Sequence, residues 1–478
     1  MWSRSLKVKF EKTIAIVGGG ISGSLLAVQL RRRGVASRIV VLDPAPQIGL
    51  GLAYSTPSML HLLNVPAGKM SLLPDEPDHF LEWLRSAHDP EATGEQFISR
   101  AVFGRYMQSL LQSVENIDHI REAAIDCRPS HGGAVLSLSG GEQLQAEWVV
   151  LATGNFLPAP LRGVSRTAEK HGVYCHSAWD RRTYQGIDPN ASVLLIGSGL
   201  TAVDAWVRLR ELGHCGVIRM ISRHGALPQP HAPYVPLAGC AIGKPPQTAR
   251  ELLRAMHLEI RSGVPWRAVV DSLRERTNEF WAALPRHEQQ RFQRLLQRRW
   301  DVVRHRMAPA LAERLAGELA AHTVQVARGN VLSVDFATGG AQVTARCPDG
   351  ETHVWSGARV INCTGPDLKY SRVGSPLLRQ MLLRGDVVPG PLGPALWSDE
   401  EGALRNQSGE YSKVLFNIGP GRQGVLLESI AIPELRRQAA QLAETLERRV
   451  NRAWDFEPTG WERRNTEEIA GSGCADWA

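Results

Sequence analysis

Two glycine-rich turns constrain this chain more than any other feature: Gly18-Gly19-Gly20-Ile21-Ser22-Gly23 and Gly197-Ser198-Gly199-Leu200-Thr201-Ala202. Each follows an apolar strand-like run and opens a helix. In that context the first glycine permits a tight turn and the second lets the backbone approach a pyrophosphate where a Cβ would intrude. The third allows close helix-to-strand packing. The helix beginning at Ser22 offers unpaired N–H groups and a positive dipole end to the phosphates. With the turn Ala152-Thr153-Gly154 between them, the two fingerprints imply a protein that holds FAD and NAD(P)H together and moves hydride from one to the other.

The confirming context is a carboxylate at the right distance. A second strand over 38–42 delivers Asp43 twenty residues past Gly23, where it can take both hydroxyls of an adenosine ribose. The second fingerprint, after strand 193–196, ends on Ala202, whose methyl still fits a helix–strand contact. After its second strand, 217–221, comes Ser222-Arg223-His224 in place of an acid. Cationic donors there suit a 2′-phosphate and favour NADPH; the alternative is that Arg223 stacks on adenine and either nicotinamide coenzyme serves.

Composition bounds the alternatives. The 478 residues allow about three domains. Net charge is +7, but arginine is scattered over helices without basic runs, which argues against nucleic acid as a partner. Residues 13–30 carry no charge and follow Arg4, Lys7, Lys9 and Lys12, yet three consecutive glycines argue against a signal peptide or membrane span. The seven cysteines include Cys474 and are never spaced Cys-x-x-Cys. This excludes a redox dithiol and a zinc ribbon, predicts no metal site, and fits a reducing cytoplasm.

The fold expected is α/β, with two Rossmann-like dinucleotide-binding domains and a helical insert in the second. A discontinuous FAD domain is expected from 1–190 and 324–478, and an NAD(P) domain from 191–323 with the insert at about 246–321. Strands 134–138 and 148–152 read as a hairpin around Ser139-Gly140-Gly141. The insert reads equally as a stabilising helical layer or a lid.

Three further stretches carry a resemblance: Gly49 to Tyr54, His61 to Ser71, and Pro74-Asp75-Glu76-Pro77. They resemble the two-dinucleotide-binding flavoproteins related to flavin-containing, Baeyer–Villiger and N-hydroxylating monooxygenases. The likeness extends through Ser222-Arg223, Asn362 to Pro366 and Gly419 to Glu428, and is specific for the cofactor machinery. It implies that Asn64 lies beside the flavin ring and the nicotinamide, and that His61, Met70, Gly365, Gly419 and Gly421 line the cofactors. His176-Ser177-Ala178-Trp179 is similar to the end of the Baeyer–Villiger signature with one residue missing, which leaves His176 a catalytic candidate or a packed linker histidine.

The resemblance implies a monooxygenase in which NAD(P)H reduces FAD and a C4a-hydroperoxyflavin delivers oxygen to a small molecule, with O2 as co-substrate. Among such enzymes the chain is similar to bacterial urate hydroxylases, so urate is the favoured substrate, giving 5-hydroxyisourate. An N-hydroxylase of an amino acid or amine is the alternative, and a flavin-binding interaction protein without turnover a third. Arg105 with Tyr106, Lys69, and Arg304-His305-Arg306 are candidates for holding an anionic substrate. Oligomeric state is left open.

Overall fold

The computed structural model of the chain describes residues 12–452, so Arg4, Lys7, Lys9 and Cys474 lie outside the described residues. The core is a six-stranded sheet whose centre is the first fingerprint strand, Thr13–Val17. Arg38–Leu42 and Ile117–Ile120 follow on one side, Trp148–Leu151 and Tyr411–Asn417 on the other, all parallel to it. The three central strands, Thr13–Val17, Arg38–Leu42 and Trp148–Leu151, carry near-continuous apolar runs because both faces are covered. Ile14, Ile16, Ile39 and Val41 pack toward the helices Ile21–Arg32 and Ile432–Arg452. Ala15, Val17, Val40 and Leu42 pack toward the helix Pro376–Arg384 and the antiparallel strands of 124–146.

A second parallel sheet repeats the plan. Val193–Ile196 is flanked by Ile218–Ser222 and Val324–Arg328 on one side, and by Arg359–Asn362 and Tyr174–Cys175 on the other. Counted from the fingerprint strand, four strands of each sheet take the spatial order third, second, first, fourth, and a three-stranded antiparallel meander separates the third strand from the fourth. The helical insert therefore occupies in the second unit the slot that 43–112 occupies in the first.

This arrangement corrects the expected domain limits. Strands 174–175, 324–328 and 359–362 all belong to the second sheet, so the boundaries at 190/191 and 323/324 cut through it. The second Thr-Gly turn, with Gly365, follows a strand of the nicotinamide unit and not of the FAD unit. The expected hairpin is also different. Gly133–Leu138 pairs with Gln143–Ala146, and Trp148–Leu151 crosses into the main sheet beside Thr13–Val17. A four-residue run of apolar residues is equally good as either partner.

Candidate functional site

In each unit a crevice opens where the strand order reverses, the place where open α/β sheets take ligands. In the first, Gly18 has φ +110°, and a Cβ there would stand 2.2 Å from the Ala152 carbonyl oxygen. A Cβ on Gly23 would meet the Gly18 oxygen at 2.0 Å. These two glycines hold the crevice together. Gly20 differs: its φ is −68°, and a Cβ would meet nothing nearer than Gly51 Cα at 3.5 Å. It guards open space at the start of the helix Ile21–Arg32, whose first turn has no side-chain cap and no acid. That is the arrangement a phosphate group fits.

Around this helix start the other expected cofactor residues converge. Asp43 Oδ2 accepts from Gly19 N at 2.6 Å and its Oδ1 from Ala45 N at 2.8 Å, which fixes the carboxylate at the strand end. Gly419, with φ +75°, packs on Ser22, where a Cβ would stand 2.4 Å from the hydroxyl oxygen. Ser429 Oγ donates to the Gly419 oxygen at 2.6 Å. Gly421 is pressed on the Asn417 side chain. Thr153 and Gly154 are half-buried, and Gly154, at φ +68°, has open space on its Cβ side.

The second crevice repeats these contacts. Gly197 has φ +125°, its Cβ side 2.4 Å from the Cys363 carbonyl oxygen, and Gly365 matches Gly154, at φ +84° with open space. Gly199 starts the helix Leu200–Glu211, again without a cap or an acid, with Thr201 half-buried in its first turn and Ala202 fully buried. Ser222 Oγ bonds Ser198 Oγ at 2.8 Å. Beside it, burial and, after it, the positive charge of Arg223, Arg298, Arg328 and Arg299 lower the His224 pKa. Arg298 comes from the insert. It donates to the Ala226 oxygen at 2.8 Å, and its Nη1 lies 3.7 Å from where a Gly199 Cβ would be.

The two units meet at the segment bearing Asn64. His61 is 5% exposed, bonded through Nδ1 to Thr56 Oγ1 at 2.7 Å and donating from Nε2 to the Asp204 carbonyl at 3.0 Å. Arg100 makes a two-point contact with the Asp204 carboxylate, at 2.8 and 3.1 Å, and also donates to the Leu62 oxygen. Asp204 lies on the second fingerprint helix, so His61 acts as a tie between units. The Asn64 carbonyl accepts from His231 Nε2 at 3.0 Å. Because that nitrogen carries the proton, Nδ1 of the neutral ring holds the lone pair.

Burial first, then Arg306, pushes the His231 pKa down to about 4 from 6.5; Lys69 adds to this and Asp271 opposes it. A histidine held neutral in the folded state contributes stability that is present above pH 6.5 and is lost as pH falls toward 4. Thermal melts are expected to fall over that window in the wild type, and less steeply in His231→Gln, which keeps a donor for the Asn64 carbonyl. An equal slope in both would show that His231 is not the group responsible.

Other expected residues lie elsewhere. Arg105 is exposed, 3.4 Å from His88 Nδ1, because its helix turns Val102, Phe103 and Tyr106 inward instead. Tyr106 is fully buried and bonded to His79, and Met70, 2% exposed, is a core residue. His176 contacts Tyr174, 3.4 Å away. Arg304 forms ion pairs with Glu428 and Glu434 at 3.4 and 3.7 Å, without hydrogen bonds from its Nε or Nη2 among the described residues, and burial lowers the pKa of His305. With Arg274 on Glu434 at 2.9 Å and Trp300 Nε1 on Glu428 at 3.1 Å, this network anchors the insert to 428–434. His231, Arg298 and Asp204 were missed because their significance depends on contacts made 100 residues or more away in sequence.

Among the described residues no cluster of metal ligands occurs, and no helix is long and apolar enough to cross a membrane. Residues 15–156, which include the first crevice, match the family model described as FAD-NAD(P)-binding. Similar solved structures include L-lysine 6-monooxygenase from Pseudomonas syringae, at 15% identity and TM-score 0.65, covering 91% of this chain and 99% of that one. Ornithine hydroxylase from Pseudomonas aeruginosa is 18% identical with TM-score 0.62, over 91% and 99% of the two chains. Ornithine N-hydroxylase from Kutzneria sp. 744, titled as holding reduced FAD, NADP+ and L-ornithine, is 14% identical with TM-score 0.62, over 92% and 100%. No curated protein sequence matches the chain.

Proposed function

We propose that this protein is an FAD-dependent, NADPH-using monooxygenase that N-hydroxylates a primary amine. The fold likeness to lysine and ornithine hydroxylases over nine-tenths of the chain carries this choice of reaction. It displaces urate as the favoured substrate, since the comparisons give urate no support. The reaction inserts one atom of O2 into an N–H bond, releases the other as water, and takes two electrons from NADPH with one proton from solvent.

FAD, when bound, supplies the oxygen chemistry that no side chain provides. The chain's part is placement. The starts of the helices Ile21–Arg32 and Leu200–Glu211 would hold the two pyrophosphates, with Ser22, Gly20, Gly199 and Thr201 at the contact. Asp43 would hold the FAD ribose, and Gly154 and Gly365 would let backbone approach the cofactors, while Gly419 and Gly421 let their loop pack on Ser22 and Asn417 beside the first helix start. Asn64, whose carbonyl accepts from His231, would lie between flavin and nicotinamide. A dry pocket matters here because water diverts reduced flavin and O2 to peroxide.

The arginines around Ser222 favour NADPH. Four cations converge there, with Asp301 the acid acting on Arg298. Loss of one charge-assisted contact to a phosphate costs about 1.5–3 kcal/mol, a factor of roughly 10–100 in affinity. Arg223→Ala and Arg298→Ala are each expected to raise KM for NADPH by that factor while leaving KM for NADH within about twofold. Equal effects on both coenzymes would remove the 2′-phosphate from the account. The reaction itself is tested by incubating FAD-loaded protein with NADPH, O2 and a panel of primary amines, then assaying for hydroxylamine. A product from none of them would refute the proposal.

A further inference from the structure

Arg306 is a buried cation that the cofactor crevices do not use, the most enclosed of the buried arginines among the described residues. It is 2% exposed, and its Nη2 pairs with the Asp271 carboxylate, which Tyr234 also contacts. Its Nε and Nη1 are buried without a hydrogen-bond partner among the described residues. A guanidinium with two idle donors in the interior carries a desolvation cost that an acceptor must offset, so this one awaits an oxygen ligand or water.

Its surroundings select the ligand's charge and its position. Residues 229–231 and Met307 are paired backbone to backbone, which sets Arg306 beside His231 and hence beside the Asn64 carbonyl. Arg267 reaches the same strip, donating to the Pro230 oxygen at 3.0 Å, and Lys69 lies close enough to act on His231. Arg306, Arg267 and Arg304 act on the Asp271 carboxylate and Lys69 acts on His231, so permanent cations outnumber the one acid of this strip. The Trp266 ring closes one side, with the Arg267 guanidinium 4.4 Å and that of Arg306 5.9 Å from its centroid. A diamine would add positive charge to a site already in cationic excess. A carboxylate would neutralise part of it and meet the guanidinium in fork geometry.

We infer that the substrate is an amino acid, not a diamine, and that Arg306 receives its carboxylate through the unpaired Nε and Nη1. This rests on the amine N-hydroxylase reading and narrows it. Arg306 would then be a specificity residue: it fixes one end of the substrate so that the amine reaches the Asn64 segment.

The test uses full-length, FAD-loaded protein and matched probes that differ in the carboxylate alone: L-ornithine against putrescine, and L-lysine against cadaverine. Binding is followed by calorimetry and turnover by hydroxylamine formation. The amino acid of a pair is expected to bind at least about 100-fold more tightly than its decarboxylated partner, the worth of two charge-assisted hydrogen bonds. Arg306→Lys is expected to raise KM for the amino acid by about tenfold with kcat little changed, since charge survives and the fork does not. Because Arg306→Met could leave Asp271 buried and unpaired, it is combined with Asp271→Asn; this pair of changes should erase the preference within each matched pair while the protein still binds FAD. Hydroxylation of diamines in preference to amino acids would overturn the carboxylate assignment and leave the reaction intact. Binding of amino acids unaltered by either Arg306 variant would overturn the role of Arg306. Turnover of urate with no amine hydroxylated would overturn the assignment and the reaction together.

Discussion

Gly18→Ala is expected to yield protein without FAD and with much reduced stability. The new Cβ would lie 2.2 Å from the Ala152 oxygen and 2.8 Å from its carbon, both backbone atoms just past the neighbouring strand, at a φ of +110° that alanine rarely adopts. The backbone strain costs about 1–3 kcal/mol and the overpacking a similar amount. Against a total stability of about 5–15 kcal/mol, this endangers the whole first unit. Gly20→Ala is the informative companion. Its backbone at φ −68° and ψ −173° suits alanine, and the nearest atom is 3.5 Å away. The FAD-free protein should melt at or slightly above the wild-type temperature. FAD affinity should nevertheless fall by about 100-fold, since the methyl occupies the pyrophosphate's approach and one or two charge-assisted hydrogen bonds are lost. Melting curves of the FAD-free forms and flavin fluorescence titrations check both. Wild-type FAD affinity in Gly20→Ala would mean that the crevice does not hold phosphate.

Asp204→Ala is expected to destabilise the protein by about 3–5 kcal/mol, read from urea unfolding. The Arg100 and Asp204 side chains are 13% and 9% exposed, so removing the acid strands a guanidinium at the junction of the two units. Replacing both, as Arg100→Met with Asp204→Leu, should restore most of the stability, because an apolar pair of similar volume avoids the desolvation cost. Function separates the roles. The pair aligns the Asn64 segment with the second fingerprint helix, so the double variant should bind FAD and NADPH and yet reduce its flavin more slowly. Wild-type reduction rates in the double variant would make the pair structural only.

The sequence made the crevices legible because their signals are local. A strand, three glycines, a helix and an acid lie within 31 residues, from Thr13 to Asp43, and each acts on its neighbours in the chain. What it hid depends on distant partners. Val324–Arg328 and Arg359–Asn362 have the same Val-rich character as FAD-unit strands, and only pairing with Ile218–Ser222 and Val193–Ile196 assigns them to the second sheet. Arg105 and Arg306 are equally good anion candidates as letters. One is exposed on a helix surface, and the other is sealed inside with two donors unsatisfied. The insert read equally as lid or layer. Its buried charges on Glu428 and Glu434, with Arg298 at the second fingerprint, make it a brace across both units.

Anaerobic reduction tests the central claim, that the two crevices hold FAD and NADPH so that hydride passes between them. FAD-loaded protein mixed with NADPH in the absence of O2 should lose its oxidised flavin absorbance, and Arg223→Ala should require a higher NADPH concentration for the same rate. Protein that binds FAD stoichiometrically but keeps its absorbance with both NADPH and NADH would contradict the account and leave a flavin-binding protein without turnover.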